Sequence, residues 1–128
     1  MSETENRQAM ERYYKALQNS DTTMMGETLH DDYIEEYPQS GEQIKGLDNW
    51  RTMMASYPGM PKASNINYRV CGDLGVAEAK LEYPNGQTYY SCSIFEFKDG
   101  KIVRARDFFG EPFEAPQWRS RWVEKRAA

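Results

Sequence analysis

Two short turn sequences, Pro84-Asn85-Gly86 and Lys98-Asp99-Gly100, separate three runs in which apolar and polar side chains alternate. Connections that short join antiparallel neighbours, so the second half of the chain is predicted to fold as a meander. The strand candidates are Asn65–Cys71, Val76–Tyr83, Tyr89–Phe97 and Ile102–Phe109. Both turns suit three-residue loops, a type I turn followed by Gly in the left-handed bulge position. That register pairs Tyr83 with Gln87 and Phe97 with Lys101. One face then collects Ala77, Ala79, Leu81, Tyr89, Ser91, Ser93, Phe95, Val103, Ala105, Asp107 and Phe109. The other collects Glu78, Lys80, Glu82, Glu96, Arg104 and Arg106, with Tyr90, Cys92 and Ile94. The first set is the predicted inner face.

The first half has a different period. Met10, Tyr13, Tyr14 and Leu17 are spaced for one face of a helix over about residues 4–18, with Ser2 and Glu5 as a capping box. Asn19-Ser20-Asp21 breaks it and starts a second helix, expected to reach Leu29 with Met24, Met25, Thr28 and Leu29 inward. A short strand, Tyr33–Tyr37, is stopped by Pro38. Asp48 is the expected cap of a third helix, with Trp50, Met53, Met54 and Tyr57 inward and Pro58-Gly59 after it. Helices followed by a run of strands imply an α+β fold with the helices on one sheet face. At 128 residues the chain has the length of one domain, 1–128.

Composition narrows the function classes. Residues 1–97 carry 8 basic and 15 acidic side chains and residues 98–128 carry 8 and 5, for a net charge of −4. The basic residues of the tail alternate with acids, so no nucleic-acid surface is expected. No run of about 18 apolar residues exists to span a membrane, and the start of the chain is not a secretory signal; a cytoplasmic location is expected. Cys71 and Cys92 have no CxxC spacing, and His30 is the one histidine, so neither a zinc site nor another metal is expected. His30, in Leu29-His30-Asp31-Asp32, fits a helix end better than a catalytic base.

The inner face is small in its middle, at Ala77, Ala79, Ser91, Ser93 and Ala105. Small residues under covering helices leave room for a cavity. Its expected walls are Tyr14, Trp50 and Met54 from the helices and Leu81, Tyr89, Ser91, Ser93, Phe95, Ala105 and Phe109 from the sheet. Asp107 is the carboxylate that points into it, and either a structural partner or an acid–base role fits a buried Asp. Glu35 and Glu36 are adjacent and face opposite ways, and Glu36, beside a loop that bends, is the candidate for the pocket together with Tyr37. Trp118 and Trp122 are spaced i, i+4 and are expected to pack on the body.

Three runs, LHDDYIEEYPQSGEQIKG, FEFKDGKIVRARDFFGEPF and APQWRSRWVE, resemble the nuclear transport factor 2-like superfamily, in particular its SnoaL-like, polyketide cyclase-like branch. The resemblance implies a cone-shaped α+β barrel, three helices wrapped by a curved, mainly antiparallel sheet with a pocket in its open end. It also implies metal-free acid–base work without a cofactor. Isomerase-like members place a general-base Asp directly before a Pro of the first strand, where this chain has Tyr37, with Glu36 one position off. Their second Asp falls near Ser93, whereas the last-strand acid of cyclases matches Asp107. The implied function is a lyase, isomerase or cyclase acting on a small hydrophobic carbonyl or hydroxy compound, with catalytic candidates Asp107, Glu36 and Tyr37. The alternatives are a non-catalytic small-ligand module and a dimerising interaction domain. A homodimer through the face bearing Tyr90, Cys92, Ile94, Arg104 and Arg106 is expected.

Overall fold

The computed structural model describes residues 2–127. Helix α1 (Glu3–Gln18) starts at the capping box: Ser2 Oγ accepts the Glu5 N–H at 3.1 Å, and the Glu5 carboxylate accepts the Ser2 N–H at 3.5 Å. It buries Asn6, Ala9, Met10, Tyr14 and Ala16. Asp21 caps α2 (Thr22–Glu27) by accepting the Met24 N–H at 3.0 Å. This helix stops before Leu29, because Thr28 turns its hydroxyl back onto the Met25 carbonyl at 2.7 Å and the chain becomes extended. Strand β1 (Leu29–Tyr37) therefore begins four residues earlier than the sequence pattern implied, and His30 lies in it rather than at a helix end. The imidazole Nδ1 accepts the Asp32 N–H at 3.0 Å while Nε2 lies 3.6 Å from Asp99.

A short strand β2 (Glu42–Lys45), not anticipated from the sequence, leads into α3 (Leu47–Ala55). The cap of α3 is Gly46 and not Asp48: its φ of +91° turns the chain straight from strand to helix, and its N–H donates to the Tyr33 carbonyl at 2.7 Å. Then follow β3 (Lys62–Cys71), β4 (Leu74–Glu82), β5 (Thr88–Lys98) and β6 (Lys101–Gly110). The sheet order is β2-β1-β6-β5-β4-β3, antiparallel throughout except where β1 runs parallel to β6. The sheet is not closed. The core between helices and sheet centres on Met10, Tyr33, Trp50, Phe95 and Ile102, all at most 1% exposed.

The two hairpins differ. The β4–β5 turn is the expected three-residue loop: the Tyr83 N–H donates to the Gln87 carbonyl at 2.9 Å and Gly86 has φ +89°. The β5–β6 turn has only two residues, Asp99 and Gly100, with φ of +54° and +74°, and Lys98 pairs with Lys101 rather than Phe97 doing so. Positive φ at both positions is the type I′ turn, which matches strand twist, and an Asp tolerates the first of them. Such a turn alone would reverse the faces of β6. A bulge corrects it: Phe97 pairs with Ile102 and Glu96 with Arg104, so Val103 is the extra residue. Ile102, at 0% exposed, takes the inward place expected for Val103, and beyond the bulge Ala105, Asp107 and Phe109 face inward opposite Phe95, Ser93 and Ser91.

Past Gly110 the only regular element among the described residues is a 3-10 turn, Gln117–Arg119. Trp118 and Trp122 do not pack on the body as expected; they are 75% and 71% exposed, because a single turn after Pro116 does not set a helical face. No described helix is long and apolar enough to cross a membrane.

Candidate active site

Strand alternation puts Tyr33, Glu35 and Tyr37 on the inner face of β1, where Glu35 pairs with Ala105 of β6. Asp107 lies two residues beyond Ala105 on that face, so parallel pairing of the first and last long strands brings two carboxyls together. Glu35 is 6% exposed; the Tyr33 hydroxyl donates to its Oε1 at 2.5 Å and the Tyr37 hydroxyl to its Oε2. Asp107 Oδ1 accepts the Ser93 hydroxyl at 2.7 Å from the facing position of β5.

Burial raises the Glu35 carboxyl above the usual range, opposed by hydrogen bonds from Tyr33, Tyr37 and Trp50. Burial likewise pushes Asp107 up to about 8; the negative charge of Glu35 adds to the shift and the Ser93 hydrogen bond opposes it. Desolvation first, then the nearby carboxylates, holds the Tyr13, Tyr14, Tyr33 and Tyr37 phenols above their ordinary range, so all remain protonated. The site can thus hold or release a proton near neutral pH at Asp107.

A cavity of about 420 Å³ opens in front of these groups. Tyr14, Tyr37, Trp50, Met54, Leu81, Ser91, Ser93, Asp107 and Phe109 line it. Phe95 and Ala105, each 1% exposed, instead lie in the core cluster behind the wall. Tyr89 flanks a neighbouring depression with Tyr83 and Phe109. Glu36 is on the wrong face for the pocket: its carboxylate pairs with Arg104 Nη1 at 3.2 Å on the outer side of the sheet. Tyr33 decides the matter, since a fully buried Tyr33 commits Glu35 to the inside and Glu36 to the outside. The sequence signal that finds Glu35 is the alternation Tyr33-x-Glu35-x-Tyr37, in which two phenols flank one carboxylate on one face.

Other lining residues were not expected in the pocket wall: Tyr13, Met25, Met53 and Tyr57, read only as inward helix positions, and Met60 and Tyr83. Tyr57 and Tyr83 close one side of the mouth through a hydroxyl–hydroxyl hydrogen bond of 2.9 Å. At the outer end of β6, Gln39 fixes the wall: the Phe109 N–H donates to its Oε1 at 2.6 Å, and its amide donates to the Phe109 carbonyl. Among the described residues no group of three or more His, Cys, Asp or Glu is arranged to hold a metal ion.

The profile of the SnoaL-like domain matches residues 10–105. An NTF2-like protein of unknown function from Burkholderia xenovorans LB400 is 36% identical, with a TM-score of 0.86 and 98% of each chain covered. A protein provisionally assigned as a ketosteroid isomerase, from Kribbella flavida DSM 17836, shares the fold at 23% identity and a TM-score of 0.85, over 98% of this chain and 92% of that one. An LEH-like epoxide hydrolase of M. tuberculosis is 27% identical with a TM-score of 0.70, over 84% of each chain. No curated protein matches the sequence.

Proposed function

The chain belongs to the SnoaL-like domain family, and on that footing we propose that it is a cofactor-free acid–base enzyme for a small apolar carbonyl or hydroxy compound. The observation that supports this reading is Asp107: a carboxyl near neutrality, on the wall of an apolar chamber beside a second carboxyl from the neighbouring strand. Two carboxyls in one desolvated site resist ionising together, so one keeps a proton that the other lacks. As carboxylate, Asp107 takes a proton from carbon next to a carbonyl; as acid it returns that proton to another carbon or to a departing hydroxyl. Glu35 does not reach this role freely, since two phenols hold it; it positions Tyr37 and keeps negative charge beside Asp107. Named relatives in the fold include an epoxide hydrolase and a provisional isomerase, which favours chemistry over binding alone.

The test is solvent-deuterium exchange at the α-carbon of an enolisable bicyclic ketone such as 2-tetralone, followed by NMR. Catalysed exchange that drops at least about 100-fold in Asp107→Asn supports the reading. Full exchange in that variant overturns it.

The same proposal includes a second copy of the chain. Leu74, Val76, Tyr90 and Phe108 on the outer sheet face are 37–48% exposed and are interspersed with Glu78, Glu96, Arg104 and Arg106. An apolar patch with both charge signs suits a self-complementary interface. Sedimentation is expected to show a dimer at about 10 µM, and a monomer there would exclude an obligate one.

A further inference from the structure

We propose that the natural ligand is bipartite: an apolar body fills the chamber, and an arm bearing hydroxyl or amino donors, but no negative charge, runs past Asp107 into a second depression. This deepens the acid–base reading above and rests on it for the position of the reacting centre.

The chamber of about 420 Å³ does not end at Asp107. On its other side lies a groove of about 670 Å³, and Tyr37, Asp107 and Phe109 line both spaces. The carboxyl thus stands at a junction and not at a dead end. The two spaces differ in chemistry. The chamber is walled by Met25, Met53, Met54, Met60, Leu81 and aromatic rings, a soft apolar surface that adapts to the shape of its contents. The groove adds Gln39, Ser40, Glu42, Tyr89 and Glu111.

What the groove offers an arm is acceptors. The Gln39 amide is spent on both backbone groups of Phe109, and Ser40 Oγ donates to Glu42 Oε1 at 2.7 Å. The carboxylates of Glu42 and Glu111 are acceptors only. Among the described residues no Lys, Arg or His lines either space. Arg106 lies with Glu36 in a separate depression across Glu42, on the outer side of the sheet. A carboxylate or phosphate arm would lose water and gain no cation, next to carboxylates of its own sign, whereas a hydroxyl or ammonium finds partners at once. The apolar body then sets the reacting carbon beside Asp107, with the arm as its handle.

Three probes with one body separate the possibilities: 2-(2-naphthyl)ethanol, 2-(2-naphthyl)ethylamine and 2-naphthylacetate, measured by titration calorimetry at pH 7. The alcohol and the amine are expected to bind, with the acetate at least about 10-fold weaker. In Glu42→Gln/Glu111→Gln the amine should lose about 5-fold and the acetate should recover by a similar factor. An acetate that binds as well as the amine overturns the proposal, as does an unchanged order of affinities in the double variant. Failure of all three to bind at about 1 mM also overturns it. These outcomes do not depend on turnover. An Asp107→Asn protein that keeps full proton exchange would sink the acid–base reading while leaving the order of the three probes intact.

Discussion

Glu35 and Glu36 are consecutive residues of one strand with identical side chains, and the two faces of the sheet treat them oppositely. On the inner face Glu35 is desolvated, gripped by two phenols and driven upward in pKa. On the outer face Glu36 meets Arg104 in a half-exposed ion pair, beside a second, looser contact from Arg104 to Glu96 at 4.0 Å. The inner face concentrates a few costly polar groups in apolar surroundings, where each has a chemical consequence. The outer face spreads compensating charges, where each is cheap and replaceable. The same side chain is desolvated and raised in pKa, or solvated and ion-paired, according to the parity of its position.

Parity is therefore the first thing to break. Inserting one residue after Val103 would shift the rest of β6 by one position, turning Ala105, Asp107 and Phe109 outward while bringing Arg104 and Arg106 into the core. The expected result is loss of cooperative thermal unfolding; a normal melt with unchanged ligand binding would show that the residue count along β6 does not set the faces. Next in size, Asp107→Asn keeps shape and removes the titrating group, so exchange activity should fall by about 100-fold or more with ligand binding retained.

The pH dependence has a definite sign. The folded-state pKa of Asp107, about 8, lies above its unfolded value, so the folded chain binds the extra proton between those two values. The stability this confers is complete in acid below the unfolded pKa and is lost as pH rises from about 4 through about 8. Glu35 acts in the same direction. Denaturant midpoints should fall across that window in the native protein and fall less in Asp107→Asn; equal slopes would refute the linkage.

Smaller effects sharpen the contrast between the faces. Glu35→Ala strands the Tyr33 hydroxyl in a fully buried position and should cost about 1–3 kcal/mol. Glu36→Ala should cost at most about 1 kcal/mol. Comparable costs would mean the faces are not energetically distinct. Tyr83→Phe removes the hydroxyl bridge to Tyr57 at the mouth and should cost about 1 kcal/mol while quickening ligand release, as read by stopped flow.

Most of this architecture was legible in the sequence, because period and turn chemistry are local. The capping box at Ser2, the helix α1 and the inward set on β4 and β5 follow from spacing alone. The second turn shows the limit. Lys98-Asp99-Gly100 fits two loop lengths, and without a bulge only the longer one keeps Arg104 and Arg106 off the inner face; a compensating bulge at Val103 leaves no local mark. The three-residue reading therefore puts Asp107 on the correct, inner face with the loop length wrong. Closeness to a bending loop points to Glu36 rather than Glu35, although Tyr33 and Tyr37 already mark the buried parity. The electrostatic coupling of Glu35 to Asp107 is out of reach of the sequence, as it depends on a parallel pairing of strands far apart in the chain.

That pairing also dates the site. Glu35 comes from the first long strand and Asp107 from the last, with four strands of the sheet and one helix between them in sequence. Local hairpins form early, and a parallel contact spanning most of the chain is among the slowest steps available to a fold of this kind. During refolding, secondary structure and burial of Trp50 should return before the acid–base pair exists. On the proposed reading, proton exchange would act as a clock for the final closure, and a fragment ending before β6 would hold a cavity wall without Asp107.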